Sequence, residues 1–428
     1  MSRRSQARAE ARRAAQSARR QRRRPDHMLV SAIMLFFFTA FLLVSFNGEL
    51  EWEGFALAVI VPVLIRLSTM WVPRFFPADK LLLAIANFLC ALGVLILYTT
   101  DRGAGIIAML ACIFVVRYVR RWGFLIKVVM LGAAALLALP LAIGTEQNGA
   151  TNWINIGGTS VQPSELVKLA LLLILSWYMS RRRFLPWFAF TVFSLLVLML
   201  QQDLGTALIY YATTLFLFYA STGNLPLTGL GLVGAGGAAV LGYAMFAHVK
   251  KRVAIWRNPW IYYETSGYQI VQMLMAIASG GLFGVGLGLG APRVIPVYFT
   301  DCIFAVICEQ FGVIFGALVL AMYVILILRG VSIASAARSS FHALLAMGAT
   351  VMLGIQTFII IGGVLKLIPL TGVTMPFVSY GGTSLVSCMG LIGLIQGVAS
   401  VNQDDLAYDY EISHTLQEEA LMPEADRE

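Results

Sequence analysis

Residues 28–46 read MLVSAIMLFFFTAFLLVSF, nineteen consecutive positions without a charged side chain. An α-helix rises 1.5 Å per residue, so about 20 apolar residues carry it across a hydrocarbon core of about 30 Å. The same kind of run recurs at 54–72, 80–99, 103–118, 124–143, 164–180, 186–201, 204–222, 226–247, 302–328, 342–364 and 383–401. Over the 428 residues, 59% are hydrophobic and 12% charged, against roughly a quarter charged in soluble domains. No water-soluble fold hides that much apolar surface. A closed β-barrel would alternate in segments of about ten residues, whereas these runs are uniformly apolar. The sequence therefore predicts an all-α polytopic membrane protein with about 12 transmembrane helices.

The net charge of +9 is concentrated before the first run, in Arg3, Arg4, Arg8, Arg12, Arg13, Arg19, Arg20, Arg22, Arg23 and Arg24. With no aromatic interleaving and no folded module beside it, this is not a nucleic-acid-binding arm. No small-residue cleavage site closes the first run, so it reads as a retained helix. Residues 1–27 are expected to be a basic cytoplasmic tail obeying the positive-inside rule. Every second joint then falls on the same side, and these joints carry Arg66, Arg74 and Lys80, then Arg117, Arg120, Arg121 and Lys127, then Arg181 to Arg183, then Arg329 and Arg338. The other face receives 47–54, 99–102, 144–163, 201–203, 248–301 and 366–382.

The large outer loop, 248–301, breaks the charge rule with Lys250, Lys251, Arg252, Arg257 and Arg293, which suit anionic headgroups. Within it, YQIVQMLMAI (268–277) has the apolar spacing of an interfacial helix, and SGGLFGVGLGLG (279–290) is glycine-rich enough for a re-entrant or hinge segment. That second segment decides between twelve and thirteen membrane segments. The membrane domain spans 28–401, and 402–428 form an acidic, mobile cytoplasmic tail. Cys90, Cys112, Cys302, Cys308 and Cys388 are scattered, without metal-type spacing. Neither a disulfide framework nor a metal–thiolate site is expected.

Ionisable residues in or beside spans cost about 2.5–3.5 kcal/mol each on insertion scales, so they are functional candidates. Glu165 and Lys168, in QPSELVK (162–168), share one helix face at i, i+3 and form either an ion pair locking the bundle or a ligand-holding pair. Asp203, in QQDLGTA (201–207), stands at a helix start, where an N-cap competes with a site role. Asp301 ends the basic loop, and Glu309 follows two turns later, spaced so that both can face one cavity. A carboxylate there, beside cations, could act as general base on a sugar hydroxyl; another N-cap is its bland alternative. The segment PLTGVTMPFVSYGGT (369–383) offers backbone amides and the hydroxyls of Ser379, Tyr380 and Thr383, with Gly372, Gly381 and Gly382 permitting tight turns.

In this order, GATNWI (149–154), QPSELVK (162–168), QDLGTA (202–207), GYQI (267–270), AIASGGLFG (276–284), Thr300–Asp301 with IFAV (303–306), and PFVSYGG (376–382) resemble the shape, elongation, division and sporulation (SEDS) family, also called FtsW/RodA/SpoVE. The resemblance covers about 99–397. It implies a peptidoglycan glycosyltransferase that polymerises lipid II, releases undecaprenyl pyrophosphate and works with a class B penicillin-binding protein at the outer face of the bacterial cytoplasmic membrane. It further implies a core of ten helices from about residue 80, with two N-terminal helices added. Asp301 matches the family's essential aspartate. Glu165, Lys168, Asp203, Arg252 and Glu309 match its polar cavity positions, and Ser379, Tyr380, Gly381 and Gly382 its late signature. Lys168 and Arg252 would stabilise the leaving group, with Mg or Mn as a divalent ion that could share this work. The chain departs from the family pattern at Asn152, often Arg, at Val285, commonly Lys, and at Val297 and Gln310, commonly acidic. A precursor flippase and a non-catalytic scaffold for the penicillin-binding protein are the competing function classes, and neither needs Asp301 as a base.

Overall fold

The computed structural model describes residues 27–46, 52–75, 79–100, 123–147, 150–156 and 159–420. Among them, α1 (His27–Ser45), α2 (Trp52–Phe75), α3 (Lys80–Thr100) and α4 (Gly123–Ala138) precede a small sheet of β1 (Thr145–Gln147), β2 (Ala150–Ile156) and β3 (Thr159–Val161). Then come α5 (Pro163–Ser180) and α6 (Phe184–Leu200), followed by α7 (Leu204–Thr222), α8 (Leu225–Met245), α9 (Ala247–Arg257), α10 (Tyr268–Gly280), α11 (Ile303–Ser335), α12 (Ser340–Val364) and α13 (Gly382–Ala420). Ten of the described helices are long and apolar enough to cross a membrane, and Phe184–Leu200 is a shorter apolar helix. These helices coincide with every expected span except 103–118, which lies outside the described residues, as do Cys112, the basic tail up to residue 26 and residues 421–428.

Two local features depart from the sequence-based expectation. The segment between α4 and α5 is a three-stranded antiparallel sheet, with Ile154 opposite Val161 and Thr145 opposite Trp153. The acidic tail, expected to be mobile, continues α13 as helix to Ala420. Residues 281–291, glycine-rich as read from the sequence, form no spanning helix.

Instead, the glycine-rich segment repairs a break in α11. Gly312 (φ 86, ψ 166) interrupts that helix, leaving carbonyls unbonded before the break and amides unbonded after it. The segment supplies both sets of partners. Val285 and Gly286 donate their amides to the carbonyls of Glu309 and Gln310, while Val313 and Ile314 donate to Gly281 and Leu282. Only glycine fits such contact: a Cβ at Gly284 would collide with the carbonyl of Gln310, and one at Gly312 with that of Leu282. Non-helical backbone at membrane depth survives because protein satisfies it.

The interior lies among α3, α5, α12 and α13, whose facing residues include Leu89, Leu92, Leu171, Leu175, Met352 and Ile395. At one end, Asp79 accepts from Arg329 Nη2 at 2.7 Å, and Gln396 Nε2 donates to the Asp79 carbonyl at 2.8 Å, joining the start of α3 to α11 and α13. By contrast, α8 stands almost wholly outside the bundle. Its Gly231 accepts the Tyr211 hydroxyl at 2.7 Å.

Candidate functional site

At the end of the bundle away from Asp79, a cavity of about 1640 Å³ is lined by Glu165, Asp203, Arg252, Asp301, Ser379, Tyr380, Gly381 and Gly382. It exceeds the roughly 300–1,000 Å³ of ordinary small-molecule pockets. It opens beside α2 and α3, where Glu53 and Tyr98 also line it.

Asp301 does not cap α11. The N-cap position is Cys302, and no side chain caps there. Its carboxyl sits in the cavity wall, with Gly372 so close that an added Cβ would lie 3.6 Å from Asp301 Oδ2. One residue away, Arg252 Nη1 donates to the carbonyl of Thr371 at 3.2 Å, which brings the guanidinium to the same corner. Burial pushes the Asp301 pKa from 3.8 to about 6, against the opposing pull of the Thr300 side chain and of Arg252. A carboxyl so placed exchanges its proton near neutral pH.

The loop carrying Asp301 is stitched to the late signature. Ser379 Oγ donates to the Thr300 carbonyl at 2.6 Å and accepts from the Met375 amide at 2.8 Å. The Tyr380 amide donates to Phe299 at 2.8 Å, and the two rings meet edge to face at 5.7 Å. Ser379 is thus a brace, and the half-exposed Tyr380 ring presents the apolar surface. Backbone tension accompanies this arrangement. Gln202 (φ 60), Val297 (φ 55) and Phe377 (φ 68), all non-glycine residues in the left-handed region, line the cavity. Strain of this kind costs about 1–3 kcal/mol per residue and collects at functional sites.

Asp203 is both cap and wall. Its Oδ1 accepts from the Thr206 amide at 3.1 Å, while Oδ2 accepts from Asn152 Nδ2 at 2.8 Å and Gln162 Nε2 at 3.1 Å. Where the family pattern often has arginine, Asn152 therefore contributes a neutral donor to the same carboxylate.

Two expected positions move. Lys168 is fully buried, with Nζ held by Glu165 Oε1 at 2.7 Å and Gln356 Oε1 at 3.0 Å, and it does not line the cavity. Its expected contact with a leaving group is corrected: the ammonium is spent inside the bundle, and Arg252 is the cation that lines the cavity among the described residues. Glu309 was expected to share the cavity with Asp301. The helix begins only at Ile303, so the helical count from Asp301 does not hold, and Glu309 faces the glycine-rich segment: Oε1 accepts from the Ala291 amide at 3.0 Å and the carboxylate packs on Gly290.

Sequence reasoning missed Gln356 and Ser387. Gln356 Nε2 donates to the Thr374 carbonyl at 2.9 Å, and Ser387 Oγ donates to Glu165 Oε2 at 2.7 Å. The pair Glu165–Lys168 thereby reaches the loop before the late signature. A lone glutamine inside the apolar run 342–364 was the available signal.

The chain is similar to known proteins along most of its length. The family model described as cell cycle protein, FtsW/RodA/SpoVE, matches residues 96–404. The chain is 32% identical over 408 residues to a protein of Mycobacterium tuberculosis named peptidoglycan glycosyltransferase RodA, covering 85% of this chain and 87% of that one. A Mycobacterium leprae protein of the same name is 38% identical over 303 residues, which cover 66% of this chain and 64% of the relative. Stage V sporulation protein E of Bacillus subtilis is 35% identical, over 69% of this chain and 84% of that one. Among solved structures, a chain of a peptidoglycan synthase complex described for its coordination of polymerization and crosslinking superposes with a TM-score of 0.60 at 25% identity, covering 88% and 96% of the two chains. The crystal structure of Thermus thermophilus rod shape determining protein RodA gives 0.57 at 26%, covering 76% and 98%.

Proposed function

The chain belongs to the FtsW/RodA/SpoVE family of cell cycle proteins, and from that membership we propose that it is a peptidoglycan glycosyltransferase polymerising lipid II at the outer face of the cytoplasmic membrane. The observation that carries the reading is Asp301, a carboxyl with its pKa raised to about 6 in the wall of a cavity large enough for a disaccharide-peptide headgroup. A general base works best with a pKa near the operating pH.

In this mechanism Asp301 takes the proton from the 4-hydroxyl of the acceptor N-acetylglucosamine. The freed oxygen attacks the anomeric carbon of the donor N-acetylmuramic acid, the bond from that carbon to the pyrophosphate oxygen breaks, and undecaprenyl pyrophosphate departs with the electron pair. Arg252 stabilises the charge growing on the leaving group, as fixed cations do for phosphates. Tyr380 offers its ring to a sugar face. Lys168 acts from behind, supporting the 371–379 loop through Gln356, and Glu165, on the cavity wall, holds Lys168 in place. Among the described residues, no three His, Cys, Asp or Glu side chains are grouped to hold a metal ion. A Mg or Mn ion in the reaction would be brought by the substrate's pyrophosphate.

The alternating basic joints support cytoplasmic termini, and the likeness to a peptidoglycan synthase complex supports a class B penicillin-binding protein as partner. The deciding experiment is gel analysis of lipid II polymerisation by the purified chain, alone and with such a partner. Asp301→Asn should lower polymer formation by at least about 100-fold. Polymerisation at the unmodified rate by that variant would overturn the assignment and favour a flippase or scaffold.

A further inference from the structure

At the end of the bundle opposite Asp301, three membrane spans stop around one polar hollow of about 370 Å³. Trp177 and Arg181 reach it from the end of α5, Ser339, Phe341 and His342 from the start of α12, and Val401 and Asp405 from α13, whose apolar span ends at Gln403. Span ends mark the boundary between hydrocarbon and headgroups. Whatever fills the hollow therefore sits at phospholipid headgroup depth, and the lining selects among headgroups.

The lining is zwitterionic. The Arg181 guanidinium lies 3.3 Å from the centroid of the Trp177 ring, and its Nη1 donates to the Trp177 carbonyl at 3.3 Å. A guanidinium has five N–H donors, so this fixing leaves most of the fork for an anion. Arg338, in the connection from α11 to α12, spends part of its fork on Asp409 and also lines the hollow. Ser339, the N-cap of α12, makes no side-chain capping bond, which leaves its hydroxyl uncommitted to the first-turn amides. Asp405 stands on the same wall. A plain anion would be attracted by the arginines and opposed by Asp405. A phosphate diester that also carries a primary ammonium satisfies both.

We propose that this hollow binds the headgroup of phosphatidylethanolamine. The phosphate lies on Arg181 and Arg338, the ammonium donates to Asp405, and the first methylenes rest on Trp177 and Phe341, whose rings pack edge to face at 5.7 Å. A phosphatidylglycerol headgroup leaves Asp405 unmatched. A choline headgroup brings charge to Asp405 but no N–H donor.

The test is titration of the full chain in detergent with short-chain phosphatidylethanolamine, phosphatidylglycerol and phosphatidylcholine, read by native mass spectrometry. Phosphatidylethanolamine should bind about tenfold more tightly than either of the others, a difference of about 1.4 kcal/mol. Asp405→Asn should erase the preference over phosphatidylglycerol, and Arg181→Gln should weaken all three. Thermal unfolding reports whether each variant is folded, and Arg338→Gln provides a second arm if Arg181→Gln is not. Equal binding of the three lipids, or a preference unchanged by Asp405→Asn, overturns the proposal. So does soluble O-phosphoethanolamine binding as tightly as the lipid, which would make the ligand a free phosphate compound.

Discussion

The hydroxyl of Ser379 donates to the carbonyl of Thr300 at 2.6 Å and so holds the peptide immediately before Asp301. Ser379→Ala removes this bond and the acceptor of the Met375 amide together. Unsatisfied partners of this kind cost about 1–3 kcal/mol. The expected outcome is a fall of about tenfold in the polymerisation rate with little change in KM, because the base is misplaced while the substrate surface remains. Steady-state kinetics separate the two parameters, and an unchanged kcat would refute the bracing role.

A raised pKa makes Asp301 pH-sensitive in the physiological range. As its carboxylate is the active form, kcat/KM should rise with pH through about 6 and then level. Arg252 draws that pKa down, so Arg252→Gln should move the rising limb to higher pH as well as lowering the plateau. A limb that stays in place or shifts to lower pH would contradict the pairing.

Breaking a buried ion pair from one side is costlier than removing both charges. Lys168→Met alone should destabilise the protein by about 3–5 kcal/mol, leaving Glu165 buried without its cation. Glu165→Gln with Lys168→Met should recover much of that loss. Thermal unfolding in detergent checks the ordering. Polymerisation by the double variant then shows whether the pair supports more than stability.

The repaired break in α11 predicts a contrast at Glu309. Glu309→Gln keeps an acceptor for the Ala291 amide and should remain active, whereas Glu309→Leu strands that amide and should lose about 1–3 kcal/mol. Gly312→Ala should cost at least as much, since it adds a Cβ both to a left-handed residue and against the Leu282 carbonyl. Equal melting temperatures for all three variants would dismiss the splice as a source of stability.

Apolar run length made the helices legible, because bilayer thickness is one number that every span must meet. Asp301 was legible for a related reason: a carboxylate at a membrane boundary is expensive, and its position beside a basic loop suggested its use. Lys168 was found as a residue but misread in its direction. Which face of a helix meets water depends on packing by α12 and α13, and Gln356 and Ser387 come from runs far away in sequence. Glu309 failed differently. Its placement assumed that Asp301 already lay on the helix, whereas the helix starts at Ile303 and Glu309 meets Gly290 and Ala291 through contacts that no period reveals. Asn152 read as a missing charge, and only the fold puts its amide on Asp203.

The helix α13 runs unbroken for 39 residues from Gly382 to Ala420, about 58 Å at the rise of an α-helix. One end belongs to the cavity rim, and the other projects past the last apolar residue of its span. Residues 404–420 stand about 33 to 57 Å from Gly382 along one continuous helix, so the tail and the cavity rim belong to a single element.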